Sequence, residues 1–274
     1  MKVLLFGGKG YIAGKLLPAF PGALTPDIDI ADQQAVSRAL DELKPDIVIN
    51  TAGKTGRPNV DWCEDHKIET IRSNLTGPLV LLEECLARDI YFVHIGSGCI
   101  YAGDNGGRGF TEEDEPNFTG SFYSLTKYLS EKALKSFPVL QLRLRMPFDG
   151  IPNPRNLITK INKYPKVLDA ENSLTYLPDL VKVAKALIAK RATGIYNVTN
   201  SGPASPYRIM QKYKEIVDPS HTFERITIAD LPSVAKAARS NCILSSNKLA
   251  REGIEMLSAD EALREALTTM QSLL

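Results

Sequence analysis

The sequence has few cysteines and no excess of charge of either sign. Its four cysteines form no Cys-x-x-Cys pair and follow no zinc-ligand spacing, so we expect reduced thiols, no disulfide framework and no metal centre. The 33 basic and 32 acidic residues leave a formal charge of +1. Because nucleic acids and membrane surfaces bind concentrated basic faces, this balance argues against both as partners.

Long apolar runs are also missing. The apolar start at residues 3–6 stops at Gly7 and Gly8, unlike a secretion signal, and no other stretch is long and apolar enough to cross a bilayer. We therefore expect a cytoplasmic protein. With 274 residues, of which 43% are hydrophobic, the chain can bury roughly three-quarters of its unfolded surface. That is enough for one large domain, or for a domain with an attached lobe.

Strands and helices alternate regularly in the first half of the chain. Apolar strands are predicted over 2–6, 46–50, 90–95 and 139–144, and helices over 10–20, 33–43, 62–88 and 122–137. This alternation predicts an α/β fold of the Rossmann type, with a doubly wound parallel sheet and a smaller C-terminal lobe. Such sheets bind ligands at the carboxyl ends of their strands.

The pattern loosens after Arg145. Helices are predicted over 153–163, 179–190, 205–217 and 258–272, and one strand over 194–199. We expect a dinucleotide-binding domain over residues 1–147, rejoined by the strand near 194–199. Residues 148–274 are then mostly a lobe that binds the substrate.

A glycine-rich turn joins the first strand to the first helix. Gly7-x-x-Gly10-x-x-Ala13 lets the backbone approach a pyrophosphate closely, and the helix N-terminus offers free N–H groups. We therefore expect Gly7, Gly10, Tyr11 and Ile12 to contact a nicotinamide dinucleotide. NADPH is favoured, and NADH stays open.

An acidic residue near the end of the second strand of such a domain is expected to hold the adenosine ribose. Asp27, Asp29 and Asp32 all lie in range, and the strand itself is barely visible, so the sequence does not choose among them. Asp29 is our working candidate. The preference between NADH and NADPH stays open with this choice.

Tyr123 and Lys127 have the Tyr-x-x-x-Lys spacing on a predicted helix. Residues four apart share one helix face, and an ammonium beside a phenol lowers the phenol pKa from about 10 toward neutrality. The phenol can then exchange a proton with a carbonyl oxygen during hydride transfer. Ser97, at the end of the third strand, is placed to hydrogen-bond the same oxygen.

Two other pairs have the same spacing, and position distinguishes them. Tyr11 with Lys15 lies in the glycine turn. Tyr128 with Lys132 points away from Tyr123, because each helical residue turns by about 100°. Only Tyr123 follows a strand-end serine and a loop in the order that the chemistry needs. The alternative is an ordinary tyrosine on a surface helix.

With these motifs the chain resembles the extended short-chain dehydrogenase/reductases. Within them it is most similar to the UDP-4-keto-6-deoxyglucose 3,5-epimerase/4-reductases, and more distantly to dTDP-4-keto-rhamnose reductases and GDP-fucose synthases. The most specific stretches are 55–64, 98–100, 116–124, 145–147, 153–156, 158–160 and 239–241. Ala13 departs from the family pattern, which has a glycine there.

The resemblance implies roles for individual residues. Ser97, Tyr123 and Lys127 match the triad that carries out reduction. Cys99 matches the acid/base of the epimerisation steps, and Lys160 matches the lysine paired with it. The remaining candidates are Ala52, Gly53 and Met146 for the cofactor and Arg57, Asn59, Asn156 and Arg239 for the substrate, with Arg239 near the nucleotide phosphates.

The polar loop after the second strand has two interpretations. Arg57, Asn59 and Asp61 lie where nicotinamide and sugar would approach. They either bind substrate or hold the loop in place.

The implied reaction is 3,5-epimerisation and 4-keto reduction of a nucleotide-linked 4-keto-6-deoxyhexose, which gives nucleotide-L-rhamnose, with UDP favoured over dTDP. A first rival is a reductase alone, in which Cys99 is a small buried hydrophobe. A second is a 4,6-dehydratase, but those enzymes place an Asp-Glu pair where Gly98 and Cys99 stand. A third is a non-catalytic NAD(P)-binding sensor, which needs no proton donor.

Two further features have structural interpretations. His94 lies in the middle of a strand and is expected to be a core histidine. Leu79, Leu82 and Leu86 form a helical stripe that is either core or a dimer seam. Extended members of the superfamily often pair through such helices, so we expect a homodimer.

Overall fold

The strands of the chain form three sheets in a computed structural model that describes residues 1–233 and 235–273. The strands are β1 (Val3–Phe6), β2 (Ile47–Asn50), β3 (Tyr91–Ser97), β4 (Leu140–Leu144), β5 (Pro147–Phe148), β6 (Lys166–Leu168), β7 (Asn172–Tyr176), β8 (Gly194–Val198), β9 (Asn200–Ala204) and β10 (Glu224–Ile226). The helices are α1 (Tyr11–Leu16), α2 (Gln33–Leu43), α3 (Trp62–Asp65), α4 (Lys67–Ile71), α5 (Gly77–Leu86), α6 (Phe122–Leu134), α7 (Leu157–Ile161), α8 (Leu177–Ala189), α9 (Pro206–Ile216), α10 (Asn247–Arg251) and α11 (Ala259–Gln271). Short 3-10 segments cover Leu17–Ala19 and Ile228–Ser233, and a π-helical segment, Arg72–Thr76, joins α4 to α5.

The main sheet is parallel throughout, with strand order β1-β2-β3-β4-β8. Its strands therefore all end at the same edge, and their connections cross the faces of the sheet through helices. This is the Rossmann-type α/β fold that the alternation of strands and helices predicts. The last strand, β8, comes from the second half of the chain and pairs with β4.

Different helices bury the two faces of the main sheet, because successive side chains of a strand point to opposite faces. On β1, Val3 and Leu5 belong to the apolar cluster that also contains side chains of α1 and α8. Leu4 and Phe6 belong to the cluster formed with α2 and α5. Burial on both faces explains why the strands are continuous apolar runs in the sequence.

The strand expected before Asp27 is reduced to one bridge. Leu24 pairs with Leu4 at the outer edge of β1, with Leu5 N donating to Leu24 O at 2.8 Å. Pro26 lacks the N–H that a longer ladder needs. The acidic segment that follows is therefore a loop.

Side-chain caps start the helices on either side of the site. Asp32 accepts a hydrogen bond from Ala35 N at 3.0 Å, and Ser121 accepts one from Ser124 N at 3.1 Å. Such caps contribute about 1 kcal/mol each. Helices α2 and α6 begin at the residues that the sequence predicts.

A second apolar core lies in the C-terminal half. The sheets β5-β7-β9 and β6-β10 pack with α7, α9 and α11 around a cluster that includes Phe148, Leu174 and Ile209. None of these strands is predicted from the sequence, since they have two to five residues each, too few for a clear alternation. Helix α7 is shorter than the predicted 153–163, because Pro152 and Pro154 disfavour helix before it. Within the described ranges, no helix combines the length and apolarity that a bilayer crossing requires.

A buried ion pair fastens α6 to β4. Arg143 is 1% exposed and Glu131 is 6% exposed, and the guanidinium donates to the two carboxylate oxygens at 2.6 and 2.7 Å. Arg143 also donates to Asn197 Oδ1 on β8 at 3.2 Å and faces the ring of Tyr101. Removing one member of such a pair leaves the other charge buried and uncompensated.

We expect Glu131→Ala to lower the free energy of unfolding by about 3 to 5 kcal/mol, because it leaves Arg143 buried without a carboxylate. Urea titration at neutral pH measures the change. The matched control is Glu171→Ala, which breaks an exposed pair with Arg208 and should change stability by less than about 1 kcal/mol. Equal losses in the two variants would contradict a structural role for the buried pair.

Candidate active site

The candidate active site lies along the carboxyl edge of the main sheet. Gly7 follows β1, Ala52 lies just beyond β2, and Ser97 is the last residue of β3. Helix α7 and the segment around Arg239 bring cationic side chains from the second lobe toward Cys99 at this edge. The site is thus formed between the two lobes.

The glycine turn has the geometry that phosphate binding needs. Gly7 has a φ of +80°, and a Cβ there would lie 2.6 Å from Ala52 N, so only glycine allows this approach. Gly10 N donates to Gly7 O at 2.8 Å, and α1 begins at the next residue. The first N–H groups of the helix, including that of Ile12, have no helical acceptor. Gly53 is exposed directly beside this turn.

The side chain of Tyr11 points away from the turn, which corrects the expectation that it faces phosphates. Its hydroxyl donates to Asp149 Oδ1 at 3.1 Å, and Lys15 pairs with Asp149 Oδ2 at 2.5 Å. This pair of tyrosine and lysine therefore links α1 to the second lobe. In the pair of Tyr128 and Lys132 on α6, the exposed Lys132 donates to the half-buried Tyr128 hydroxyl at 3.1 Å.

Asn156 is also placed differently from the expectation of a substrate contact. It is fully buried, its Nδ2 donates to Asp149 Oδ1 at 2.9 Å, and its Oδ1 accepts from Ile158 N at 2.9 Å. Both ends of the amide are therefore occupied within the protein. Asn156 caps α7 and so orients the helix that carries Lys160.

All three acidic candidates for the ribose have partners. Asp27 pairs with Lys9 at 2.5 Å, Asp29 pairs with Arg72 at 2.9 Å, and Asp32 caps α2. The first two pairs are exposed to solvent, whereas the cap is part of the fold. Asp29 and Asp27 therefore stay available to a ligand, each with a cation beside it.

The structure brings Ser97, Tyr123 and Lys127 together. Tyr123 and Lys127 lie four residues apart on α6 and are 8% and 7% exposed. Ser97 lies beside the phenol and accepts a hydrogen bond from Cys99 N at 3.2 Å. Lys127 Nζ donates to Ile95 O at 3.1 Å.

The pKa of Tyr123 does not fall as the spacing suggests, and this corrects the expectation. Burial raises the pKa of the phenol, the Cys99 thiol adds to the rise, and the Ser97 hydroxyl and Arg145 work in the opposite direction. Burial also lowers the pKa of Lys127 to about 8. Tyr123 is therefore a protonated phenol at neutral pH, ready to donate.

Arg145 is a site residue that motif reasoning missed. It is 5% exposed, and its Nη1 donates to Cys99 Sγ at 2.7 Å. Its other donors contact Asn172 Oδ1 and Ser240 O. Among the described residues no carboxylate pairs with it, so the buried cation faces a sulfur and neutral oxygens. A charged residue directly after an apolar strand was the available signal.

The next residue, Met146, has a φ of +43° and packs on the second core.

Four cationic side chains, those of Arg57, Arg155, Lys160 and Arg239, form one cluster, in which Lys160 is the member that interacts with Cys99. Burial lowers the pKa of Lys160, and the charges of Arg239 and Arg155 lower it further. Arg57 acts on Arg155 in the same way. In the described part of the chain Lys160 forms no ion pair. Like charges held this close favour an anionic ligand.

The loop after β2 is held by an ion pair with the second lobe. Arg239 donates to both oxygens of Asp61, at 2.7 and 2.9 Å, and Ala237 N donates to Oδ1 at 2.9 Å. The hydrogen bond from Arg239 is the main cause that lowers the pKa of Asp61 to about 2. Asn59 Oδ1 accepts from Asp61 N at 2.8 Å. Asn59 and Asp61 therefore hold the loop, whereas Arg57 is exposed.

Comparison with known families agrees with this geometry. The family model described as RmlD substrate binding domain matches residues 1–272. The chain belongs to this family. It is therefore an enzyme of the RmlD type of reductase, as the resemblance in the sequence implies.

Two plant proteins are close relatives in sequence. A bifunctional dTDP-4-dehydrorhamnose 3,5-epimerase/dTDP-4-dehydrorhamnose reductase of Arabidopsis thaliana is 42% identical over 271 residues, covering 95% of this chain and 90% of that protein. A trifunctional UDP-glucose 4,6-dehydratase/UDP-4-keto-6-deoxy-D-glucose 3,5-epimerase/UDP-4-keto-L-rhamnose-reductase of the same plant is 40% identical over 279 residues. The match covers 96% of this chain but 41% of that relative.

Solved structures show the same fold. The L780 UDP-rhamnose synthase from Acanthamoeba polyphaga mimivirus superposes with a TM-score of 0.93 at 33% identity, covering 98% of this chain and 99% of that one. The dTDP-4-dehydrorhamnose reductase from Bacillus anthracis, solved in complex with NADP, has a TM-score of 0.83 at 21% identity, covering 100% and 99%.

We expect Asp61→Asn to destabilise the protein by about 1 to 2 kcal/mol above pH 4, because a charge-assisted hydrogen bond is lost. The folded-state pKa of Asp61, about 2, lies below its unfolded value. The wild-type advantage is therefore present above the unfolded pKa and disappears as the pH falls through 2. Urea titrations of both proteins between pH 7 and 3 measure the difference. In an Arg239→Ala background the effect should shrink to the contribution of the backbone hydrogen bond from Ala237 N, and an undiminished effect there would refute the pairing.

Proposed function

We propose that the chain uses NADPH to convert a UDP-linked 4-keto-6-deoxyglucose into UDP-L-rhamnose, by 3,5-epimerisation and reduction at C4. The observation that carries the proposal is that a proton donor, Tyr123, lies beside the Cys99–Arg145 pair at the end of β3. A reductase alone needs only the phenol. The thiol and its guanidinium supply an acid/base for carbon. The mimivirus UDP-rhamnose synthase and the Arabidopsis epimerase/reductases support the substrate.

The glycine turn fits a dinucleotide, since Gly7 and Gly10 leave the space before α1 free of side chains. The residues that would hold the dinucleotide are Gly7, Gly10, Tyr11 and Ile12 through their backbone, together with Asp29, Ala52, Gly53, Tyr123, Lys127 and Met146. When bound, it supplies the hydride that reduces C4. Lys9 and Arg72 beside the ribose candidates favour the 2′-phosphate of NADPH over NADH.

The cationic cluster fits the diphosphate of a nucleotide sugar. Within residues 1–233 and 235–273, Asp61 supplies the one carboxylate that interacts with the cluster of Arg57, Arg155, Lys160 and Arg239. A diphosphate supplies the negative charge that these side chains lack, and arginine matches its oxygens with paired N–H donors.

Epimerisation needs a base and an acid on opposite faces of the sugar. The C4 ketone acidifies the C–H bonds at C3 and C5. Cys99, acting as a thiolate, takes a proton from carbon and becomes a neutral thiol. Arg145 compensates the negative charge of the sulfur before the transfer. Ser97 and Tyr123 stabilise the enolate oxygen that forms. The ammonium of Lys160, made more acidic by burial and by its cationic neighbours, returns a proton on the opposite face and restores the ketone. A proton that passes through solvent from the Cys99 thiol to the Lys160 amine resets both groups for the second carbon. Positioned proton transfer contributes roughly 10² to 10⁴-fold.

Reduction then uses the protonated phenol. The raised pKa of Tyr123 keeps its hydroxyl proton in place at neutral pH. As hydride reaches C4, the oxygen gains negative charge and takes this proton. Ser97 holds the same oxygen through its hydroxyl.

Cofactor binding and substrate binding are assigned to the parts of the chain that form the two apolar cores. Residues 1–147 and the strand 194–199 bind the cofactor, and most of 148–274 binds the sugar nucleotide. Helix α8 is an exception, because it packs on the main sheet. Four free thiols fit the reducing cytoplasm.

The decisive experiment compares two substrates with NADPH. Cys99→Ser should lose about 10² to 10⁴-fold in conversion of UDP-4-keto-6-deoxyglucose and keep reduction of the already epimerised UDP-4-keto-rhamnose. Tyr123→Phe should lose both. NADPH oxidation gives the rates, and NMR of the product sugar identifies rhamnose. The control is Cys85→Ala, a buried cysteine between α5 and the main sheet.

Three outcomes would revise the proposal. Equal loss of both reactions in Cys99→Ser removes the epimerase claim and leaves a reductase. A product other than a rhamnose changes the substrate. NADPH that is bound but never oxidised indicates a sensor.

Two such chains pair, we propose, through α5 and α6. Leu86 on α5 is 43% exposed and Leu129 on α6 is 40% exposed, whereas Leu82 is buried in the core. Light scattering should give a dimer for the wild type and a monomer for Leu129→Glu, because a buried carboxylate opposes association. Ile228→Glu, an exposed apolar residue of the second lobe, serves as control. A dimeric Leu129→Glu protein would refute this interface.

A further inference from the structure

His94 lies at the centre of the site and has no role in the mechanism above. It is 1% exposed on β3, directly opposite Asn50 of β2 in the parallel register. Its Nδ1 lies 3.1 Å from Asn50 Nδ2, and its Nε2 lies 3.4 Å from Lys127 Nζ. The ring therefore connects β2 to the lysine on α6.

The position of the imidazole proton follows from a backbone group. Burial lowers the pKa of His94 well below its usual range, and Lys127 acts in the same direction, so the ring is neutral and has one N–H. Asn50 Oδ1 accepts from Ala52 N at 3.0 Å. Because a backbone N–H can only donate, turning the Asn50 amide around would lose the hydrogen bond from Ala52 N. Asn50 Nδ2 therefore donates to His94 Nδ1, and the ring proton lies on Nε2.

This tautomer sets what Lys127 must do. The Nε2–H of His94 points at Lys127 Nζ, which also donates to Ile95 O at 3.1 Å. An ammonium has no lone pair to accept that N–H, whereas an amine has one. The opposite tautomer would turn the Asn50 amide and place two donors, its NH₂ and Ala52 N–H, face to face. With either tautomer of His94, an ammonium at Lys127 therefore leaves one pair of hydrogen-bond donors facing each other, which is unfavourable.

We propose that His94 is a positioning residue for Lys127. The Ala52 N–H fixes the Asn50 amide, and the amide fixes the His94 ring. The ring then holds Lys127 Nζ as a hydrogen-bond acceptor and favours the neutral amine in the resting site. Burial acts in the same direction and lowers the pKa of Lys127 to about 8, while Glu131 and Cys99 raise it. Lys127 then gains and loses its proton just above neutral pH, one helical turn from the phenol that donates its proton to the C4 oxygen.

Glu131 is the charged group on the same helix, one turn beyond Lys127. Its carboxylate is already paired with Arg143, which donates to both of its oxygens at 2.6 and 2.7 Å. This pairing leaves His94 as the direct polar partner of Lys127 Nζ on the β3 side, besides the Ile95 carbonyl.

The first test is the tautomer of His94 in the full chain without ligands. Histidine labelled with ¹⁵N gives signals from the three histidines of the sequence, and the His94→Gln variant identifies one of them. We expect the Nε2–H form, with no protonation between about pH 5 and 8. An Nδ1–H ring, or an imidazolium in that range, overturns the proposal.

The second test is the titration of Lys127, followed by NMR of labelled lysine and assigned with Lys127→Met. His94→Gln keeps an N–H near Nε2 and should keep the wild-type midpoint. His94→Phe removes this N–H. In that variant Lys127 should bind its proton about tenfold more tightly, so its titration midpoint should rise by about one pH unit. Equal midpoints in all three proteins contradict the inference.

Asn50→Asp tests the same network if the phenylalanine variant does not fold. A carboxylate accepts from both Ala52 N–H and His94 Nδ1–H, so the tautomer reverses and the Nε2 lone pair faces the ammonium. We expect an Nδ1–H ring and a higher Lys127 midpoint. A ring that keeps its proton on Nε2 in this variant overturns the proposal.

The kinetic consequence rests on the proposed function. If the chain reduces 4-keto sugars, a limb of the profile of kcat against pH should move with the Lys127 midpoint in His94→Phe and stay in place in His94→Gln. The two NMR readouts need no substrate. A protein that fails to reduce the sugar but shows both NMR results therefore refutes the function alone.

Discussion

The parallel register of the main sheet is the constraint on which the site depends. Asn50, the last residue of β2, lies opposite His94, whereas Ser97, the last residue of β3, lies opposite Leu144, the last residue of β4. Strands β3 and β4 therefore end together, three residues beyond the end of β2. Arg145, the residue after Leu144, consequently emerges where its guanidinium reaches Cys99. A slip of one residue would turn every side chain of a strand to the other face. It would separate the ring of His94 from α6 and thereby remove its contact with the lysine there.

Features that lie within a single strand, helix or turn could be predicted from the sequence. The glycine turn, the strand-end Ser97 and the tyrosine–lysine pair on α6 each depend on the end of one strand or the face of one helix. Contacts between distant segments could not. The pair of Asp61 and Arg239 spans 178 residues, and that of Cys99 and Arg145 spans 46. These contacts depend on how the lobes pack, which no local periodicity encodes.

The same limit explains the corrected expectations. Asn156 has the composition of a ligand-binding residue, but helix capping and Asp149 use all of its amide. Tyr11 lies in the cofactor turn, yet its hydroxyl reaches a carboxylate 138 residues later. The phenol of Tyr123 was expected to become more acidic, but burial outweighs the effects of the Ser97 hydroxyl and Arg145. In each case the folded environment decides, whether the partner is a near neighbour, as for Asn156, or a distant residue, as for Tyr11.

Two arginines of one segment show how the protein separates stability from chemistry. Arg143 and Arg145 are both buried, two residues apart. Arg143 donates two hydrogen bonds to the carboxylate of Glu131. This carboxylate neutralises the charge of Arg143, and the pair holds α6 on the sheet. The second has a thiol, an amide and a carbonyl, so its charge stays available to a group that becomes anionic. Leaving a buried cation without a carboxylate costs stability, and such a cost is typical of functional sites.

The residue after Ser97 shows how packing selects the chemistry. A Cβ on Gly98 would lie 2.5 Å from Leu244 Cδ1, a side chain from the second half of the chain, so a larger residue there requires the leucine to move. The 4,6-dehydratases that the chain resembles begin their Asp-Glu pair at this position. Here the first side chain beyond the serine is that of Cys99, whose N–H is held by Ser97 Oγ at 3.2 Å and whose sulfur meets Arg145. The contact with Leu244 thus favours glycine directly after the serine, and the first side chain beyond it is a thiol.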